Sequence, residues 1–166
     1  MMIRSVGIAL IAALSLLLAA CGFQLRQAEP LPALLQEVRV DAVNPRGQVA
    51  RELARQLEQN GANLQASAST RLNVQGEAFD RQVLAIDERA RVSEYELRLV
   101  VSYQVEDAAG TVLLPAAQVE LSRSFSFDAQ AAIGASQEEA LIREELTRDA
   151  ARQILLRVAR GLQPAS

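Results

Sequence analysis

The segment from Glu94 to Val105 constrains the fold most strongly, because apolar and polar residues alternate along nearly all of it. One side of this segment carries Tyr95, Leu97, Leu99, Val101, Tyr103 and Val105. The other side is mostly charged or polar. A two-residue period is typical of a β-strand with one buried face. A sheet of such strands needs helices over its apolar face, and its other face stays polar.

Three further segments have the same strand-like period. Residues 37–43 alternate, and so do residues 71–78, where the predicted apolar face carries Leu72, Val74, Gly76 and Ala78. Residues 82–92 form a charged, turn-like stretch. The last predicted strand covers about 111–127, with Pro115 at a bulge or a sheet edge because proline lacks a backbone donor. Its predicted inward set is Val119, Leu121, Phe125 and Phe127.

Two segments have a helical period instead. The first helix is predicted to begin at Asn44-Pro45, with Asn44 as N-cap, and to end at Asn60-Gly61. The second is predicted to open with a capping box of Ser136 and Glu139 and to end at Gly161 and Pro164. An apolar residue recurs every fourth position along it, at Ile142, Leu146, Ala150, Ile154 and Val158.

The predicted order of elements is β-α-β-β-β-α. This order favours an α+β fold: a two-layer sandwich in which both helices cover one face of a four-stranded, mostly antiparallel sheet. Residues 36–163 are expected to form this single domain.

The N-terminus has the features of a leader peptide. Arg4 precedes an apolar run from Val6 to Leu18, and the run ends in Leu18-Ala19-Ala20-Cys21. This pattern resembles a bacterial lipoprotein precursor, so residues 1–20 are interpreted as a signal peptide and Cys21 as the lipid attachment site. Residues 21–35 are then a lipidated start and tether. The alternative is that the uncharged stretch 5–25 spans a bilayer as a helix.

Composition argues against several functions. All 17 basic residues are arginine against 20 acids, an excess that does not favour nucleic-acid binding. There is no histidine, so Ser-His and Cys-His pairs and imidazole metal ligands are excluded. The only cysteine is assigned to the lipid. We expect no enzymatic activity, cofactor or metal; a hydrolase using a carboxylate pair is the remaining catalytic alternative and is disfavoured.

Three motifs together resemble the LptE family of lipopolysaccharide-assembly lipoproteins. They are the opening Cys21-Gly22-Phe23-Gln24-Leu25-Arg26, the strand motif Ser93-Glu94-Tyr95-Glu96-Leu97, and Arg123-Ser124-Phe125. The resemblance implies a non-catalytic outer-membrane lipoprotein that plugs the LptD β-barrel one-to-one, supports barrel assembly and binds lipopolysaccharide. Gly22, rather than aspartate, after the cysteine resembles lipoproteins sorted to the outer membrane.

Lipid A carries phosphates, so the resemblance makes arginines the candidate contacts. Arg81, Arg89 and Arg91 flank the charged stretch and are the predicted lipopolysaccharide-contact residues. The alternative is that they are solvated charges paired with neighbouring acids, namely Asp80, Asp87 and Glu88. A second function stays open as well: an accessory lipoprotein of a phospholipid or ABC-type transport system.

Overall fold

The computed structural model describes residues 31–44 and 46–163. The predicted signal peptide, the lipid site Cys21, Pro45 and Pro164 lie outside the described residues. The helices are α1 (Ala33–Gln36), α2 (Gln48–Gln59) and α3 (Ala132–Gly161), with a 3₁₀ turn at Ala129–Ala131 before α3. The strands are β1 (Glu37–Ala42), β2 (Asn63–Leu64), β3 (Thr70–Ile86), β4 (Val92–Asp107) and β5 (Val112–Ser126).

The strands form one sheet in the order β2-β1-β3-β4-β5. β1 runs parallel to β2 and β3, whereas β3–β4 and β4–β5 are antiparallel. The α+β class and the mostly antiparallel sheet are confirmed. The predicted number of four strands is wrong by one, because β2 has two residues and so offers no period that can be recognised in the sequence.

Both long helices pack on the same face of the sheet. The stripe predicted for the last helix is buried at Leu146, Ala150, Ile154 and Val158, and α2 buries Val49, Leu53 and Leu57. These residues pack against buried strand residues, among them Leu72, Leu97, Leu99, Val101 and Val105. The i+4 spacing therefore identified the core-facing side of the last helix, and the buried residues of α2 follow the same spacing.

Both predicted helix starts are wrong. α2 begins at Gln48 with Gly47 as N-cap, whereas the Asn44 side chain accepts a hydrogen bond from the Arg46 amide in the turn before it (3.0 Å). α3 begins at Ala132, so Ser136 and Glu139 lie inside the helix and form no capping box at its start. The predicted ends are confirmed, with Asn60 as the C-cap of α2 and Gly161 as the last residue of α3.

A β-bulge in β3 changes which residues face the helices. Val74 pairs with Tyr103 and Gly76 pairs with Ser102, so Gln75 is an extra residue in β3. Beyond the bulge, Phe79 lies opposite the buried Leu99. Directly opposed residues in a sheet point to the same face. The predicted inward positions of Gly76 and Ala78 are therefore wrong: the helix side carries Glu77, Phe79 and Arg81.

Pro115 occupies the position that the sequence predicted. β5 is an edge strand, and its register shifts where Leu114 pairs with Val105 but Ala117 pairs with Tyr103. Pro115 and Ala116 thus oppose the single residue Gln104 in a bulge. Pro115 therefore leaves no gap in the strand ladder, although it lacks a backbone N–H, because it lies both in a bulge and on an edge strand.

Candidate functional site

The long β3–β4 hairpin brings two of the three predicted arginines together at its turn. β3 continues to Ile86 and β4 starts at Val92, so only residues 87–91 form the turn; the broader turn-like stretch 82–92 is a wrong prediction. Arg91 donates to Asp87 Oδ2 from Nη2 (2.8 Å) and from Nε (3.0 Å). The Arg89 side chain forms no hydrogen bond or ion pair within the described residues.

Asp87 organises the backbone of this turn. Its Oδ1 accepts hydrogen bonds from the amides of Arg89 and Arg91, both at 2.9 Å. The Arg91 amide bond, followed by the bond from the Arg91 side chain, holds the pKa of Asp87 below its ordinary value. Asp87 therefore stays ionised, and Arg91 stays paired beside it. Arg89 is left as the uncommitted positive charge of the turn.

Apolar side chains lie next to this turn and are open to solvent. Val83, Leu84 and Ile86 are 54%, 53% and 62% exposed, and they lie where the register between β3 and β4 shifts. Ile86 pairs with Val92 at the last step of the ladder. The hairpin end thus combines exposed aliphatic groups with the free guanidinium of Arg89, an arrangement that suits an amphiphilic anion better than a purely hydrophilic one.

The third predicted residue, Arg81, lies apart from the turn and faces α3. Its Nη1 donates to Glu139 Oε2 of α3 (2.9 Å), and its guanidinium carbon lies 4.8 Å from the centre of the Tyr95 ring. Arg143 binds the other oxygen of Glu139 (2.8 Å) and covers the ring of Phe79. Arg81 is therefore engaged in holding α3 on the sheet.

Glu139 is the centre of this contact and is only 17% exposed. The hydrogen bonds from Arg143, and secondly from Arg81, lower its pKa against the opposing effect of burial. Tyr95 continues the cluster through ring contacts with Phe125 (5.8 Å) and Phe127 (5.1 Å). The hairpin around Arg81 and Tyr95 is thus fixed to α3, while the turn beyond it carries the Arg89 side chain.

The face of the sheet away from the helices is polar, as expected, and its charge differs from that of the turn. Arg98 lies in its middle and contacts Glu120 (3.2 Å) and, more distantly, Asp80 (3.9 Å). Glu94 and Glu96 share this face through their alternation with the buried Leu97. We refer to this surface as the open face; around Arg98 its acids outnumber its arginines.

Within residues 31–44 and 46–163, no cluster of three or more His, Cys, Asp or Glu side chains could hold a metal ion. None of the helices in this part of the chain is long and apolar enough to cross a membrane.

The sequence alone did not indicate the aliphatic end of the hairpin. The charged residues around it suggested a loop, although Val83, Leu84 and Ile86 in one short run are good strand formers. That run was the available signal. The two arginines at the turn could be predicted from the sequence. The separate position of Arg81 could not be predicted, because it depends on the bulge at Gln75.

Curated relatives of the chain carry a common description. It is 28% identical to the LPS-assembly lipoprotein LptE of Pectobacterium atrosepticum over 144 residues, which cover 84% of this chain and 77% of the relative. It is 27% identical to the LPS-assembly lipoprotein LptE of Photorhabdus laumondii, over 84% of this chain and 78% of that protein.

Solved structures agree on the fold. A minor lipoprotein from Acinetobacter baumannii superposes with a TM-score of 0.67 at 22% identity, covering 81% of this chain and 98% of that one. The rare lipoprotein B from Shewanella oneidensis gives 0.66 at 22% identity, with coverage of 75% and 94%. The family model described as LptE, lipopolysaccharide-assembly, matches residues 35–158. The chain belongs to the LptE family.

Proposed function

We propose that this chain is an outer-membrane lipoprotein, anchored through Cys21, that plugs the LptD β-barrel one-to-one, supports its assembly and contacts lipopolysaccharide. Membership of the LptE family and the names of its relatives support this role. The proposed role is non-catalytic. The lipobox-like sequence Leu18-Ala19-Ala20-Cys21 supports the anchor.

The observation that carries the proposed lipid contact is the free guanidinium of Arg89 beside exposed aliphatic side chains. Lipopolysaccharide offers phosphates and acyl chains on one molecule. Arg89, helped by Arg91, would bind phosphate, while Val83, Leu84 and Ile86 would contact hydrocarbon. We assign Arg81 a positioning task instead, because its guanidinium is already bound to Glu139.

The proposed plug role is supported by the two-layer shape. Helices cover one side of the sheet, and the other side is the polar open face. The interior of a porin-like barrel is polar, so such a domain fits there without burying a large apolar surface. The acidic side chains of the open face would pair with basic side chains that line the barrel lumen.

Reversal of charge at the turn tests the lipid contact. Arg89→Glu should weaken lipopolysaccharide binding by roughly tenfold, through a lost phosphate pair and added repulsion. The Arg89 side chain has no partner among the described residues, so the variant should keep its thermal stability. Arg51→Glu, at an exposed arginine of α2, makes the same change of charge elsewhere and should bind as the wild type does. Binding is measured by titrating purified protein with labelled lipopolysaccharide.

Affinity purification of the tagged full chain from native membranes tests the plug. A stoichiometric β-barrel should be recovered with the wild type and with Arg89→Glu. Recovery without a barrel would favour the second candidate, an accessory lipoprotein of a phospholipid or ABC-type transport system. Equal lipopolysaccharide affinity in Arg89→Glu and Arg51→Glu would remove the turn as the contact site.

A further inference from the structure

The outer edge of β5 is the longest unpaired strand edge in the described part of the chain. β5 ends the sheet and pairs only with β4, over Val112–Ser126. The opposite edge is the two-residue strand β2. An unpaired edge exposes backbone N–H and C=O groups that can pair with another strand.

Two hydrogen bonds define which residues present their backbone to this edge. The Phe127 amide donates to Ser93 O of β4 (2.9 Å), so odd-numbered residues direct their backbone groups to β4. Arg157 of α3 donates to Gln118 O (2.8 Å), which therefore points outward. The register is unbroken between Gln118 and Ser126. The outward set is consequently Glu120, Ser122, Ser124 and Ser126, and within the described residues their backbone groups bind nothing on this side.

Protection of the edge is confined to the first half of β5. Pro115 lies in the bulge there, and Arg157 covers Gln118 O. The second half has neither proline nor bulge. Its two charges are both directed back onto the chain: Glu120 binds Arg98 (3.2 Å) and Arg123 binds Asp149 (3.2 Å). Both charges therefore have a partner on this chain, and three of the four outward residues carry the small side chain of serine.

The position of α3 decides what can pair there. α3 follows β5 along its length: a Cβ at Gly161 would touch Leu114, Arg157 reaches Gln118, and Asp149 binds Arg123. Paired strands lie about 4.8 Å apart, whereas packed helices need about 8–10 Å between their axes. A second copy paired through β5 with its helices on the same face would crowd its own α3 against this one. The edge therefore suits a bare extended segment.

We propose that the edge from Glu120 to Ser126 captures an extended segment of the β-barrel partner by strand addition; this rests on the proposed function. The wall strands of a closed barrel are already paired with one another, so the segment comes from a loop directed into the lumen. The added strand continues the sheet, with polar side chains beside Ser122 and Ser124 on the open face.

Proline substitution tests the edge without disturbing the ladder. Ser122→Pro removes an outward N–H that β4 does not use, and proline is tolerated on such an edge. Ser122→Ala removes only the hydroxyl and is the matched control. Barrel recovery with the tagged full chain should fall about tenfold with Ser122→Pro, because a partner carbonyl loses its donor, and should stay unchanged with Ser122→Ala. Both variants should retain the wild-type melting temperature within a few degrees.

Hydrogen exchange gives a second measurement that needs no variant of the chain. In protein purified gently from native membranes, the amides of Ser122, Ser124 and Ser126 should exchange at least tenfold more slowly than in the urea-stripped, refolded chain. The amides of Leu121 and Arg123 bind β4 and should be protected in both samples.

The outcomes separate the two proposals. Equal barrel recovery with Ser122→Pro and Ser122→Ala overturns strand capture and leaves the plug intact. Recovery of no barrel with the wild type refutes the proposed function, and slow exchange at the serines then assigns the captured segment to another protein. Fast exchange in both samples overturns the edge proposal outright. A dimer in detergent, detected by light scattering, overturns the choice of occupant.

Discussion

Replacing Glu77 by alanine should destabilise the fold by about 1–2 kcal/mol, because its carboxylate caps α2 from a distant strand. The N-cap residue, Gly47, has no side chain to fill this role. Instead, Glu77 Oε1 accepts from the Gln48 amide (3.2 Å) and Oε2 accepts from the Val49 amide (3.1 Å). Two of the four unpaired amides of the first helical turn thus bind one carboxylate of β3.

The magnitude follows from two contributions. Loss of a capping side chain costs about 0.5–2 kcal/mol, and a negative charge at a helix N-terminus contributes about 0.3–1 kcal/mol. Glu77 is half-buried and its site is partly open to solvent, which favours the lower half of the sum. Glu77→Gln keeps one acceptor oxygen and loses the charge, so it should recover about half of the loss. Glu96→Ala, at a glutamate of the open face that forms no ion pair with any described residue, should stay within about 0.5 kcal/mol of the wild type.

Urea unfolding of the purified proteins, followed by circular dichroism, measures these differences. The midpoints should rank as wild type, Glu77→Gln, Glu77→Ala, with equal slopes, because the exposed surface does not change. Equal midpoints for Glu77→Ala and Glu96→Ala would refute the cap. If Glu77→Gln were as unstable as Glu77→Ala, the charge rather than the hydrogen bonds would be responsible.

Three other predictions follow from the fold and the leader. Ile154→Ala should cost roughly 2–5 kcal/mol since Ile154 is fully buried, whereas Arg152→Ala, 66% exposed, should change urea stability by no more than about 0.5 kcal/mol. Mass spectrometry of the membrane protein should find an acylated Cys21 at its N-terminus, and Cys21→Ser should lack the acyl mass. Glu139→Gln should destabilise at neutral pH. Because the folded pKa of Glu139 lies below its ordinary 4.5, the difference in unfolding free energy from wild type should shrink as pH falls below that value.

The core could be predicted from the sequence because burial imposes a period on each element. In β4 the alternation ran unbroken, and Leu97, Leu99 and Val101 are buried as their spacing indicates. The stripe through Leu146 and Ile154 of α3 is buried for the same reason. A hydrophobic period is a property of one chain segment alone, so it predicts burial correctly wherever that segment is regular and packs on one side.

The predictions of the helix starts were wrong for the opposite reason, because the local motifs on which they relied are replaced by contacts with remote side chains. Asn44 offered a local cap, yet the amides of α2 are satisfied by Glu77, 28 and 29 positions further along the chain. Likewise Ser136 and Glu139 have capping-box spacing, but Glu139 binds Arg81 of β3 and Arg143 instead. A remote partner caps α2 and another binds Glu139, and local motifs carry no information about either.

The bulge at Gln75 links these failures. Without the extra residue, strict alternation would place Gly76 and Ala78 under the helices and turn Glu77, Phe79 and Arg81 to the open face. α2 would then lose its cap and Glu139 would lose a partner, although no apolar residue of the first part of β3 had moved. One inserted residue thus converts a strand that serves only the core into one that caps α2, holds α3 and carries the hairpin turn with Arg89 beyond them. The positions of the candidate site residues depend on that local irregularity, whereas the fold class depends on the regular pattern around it.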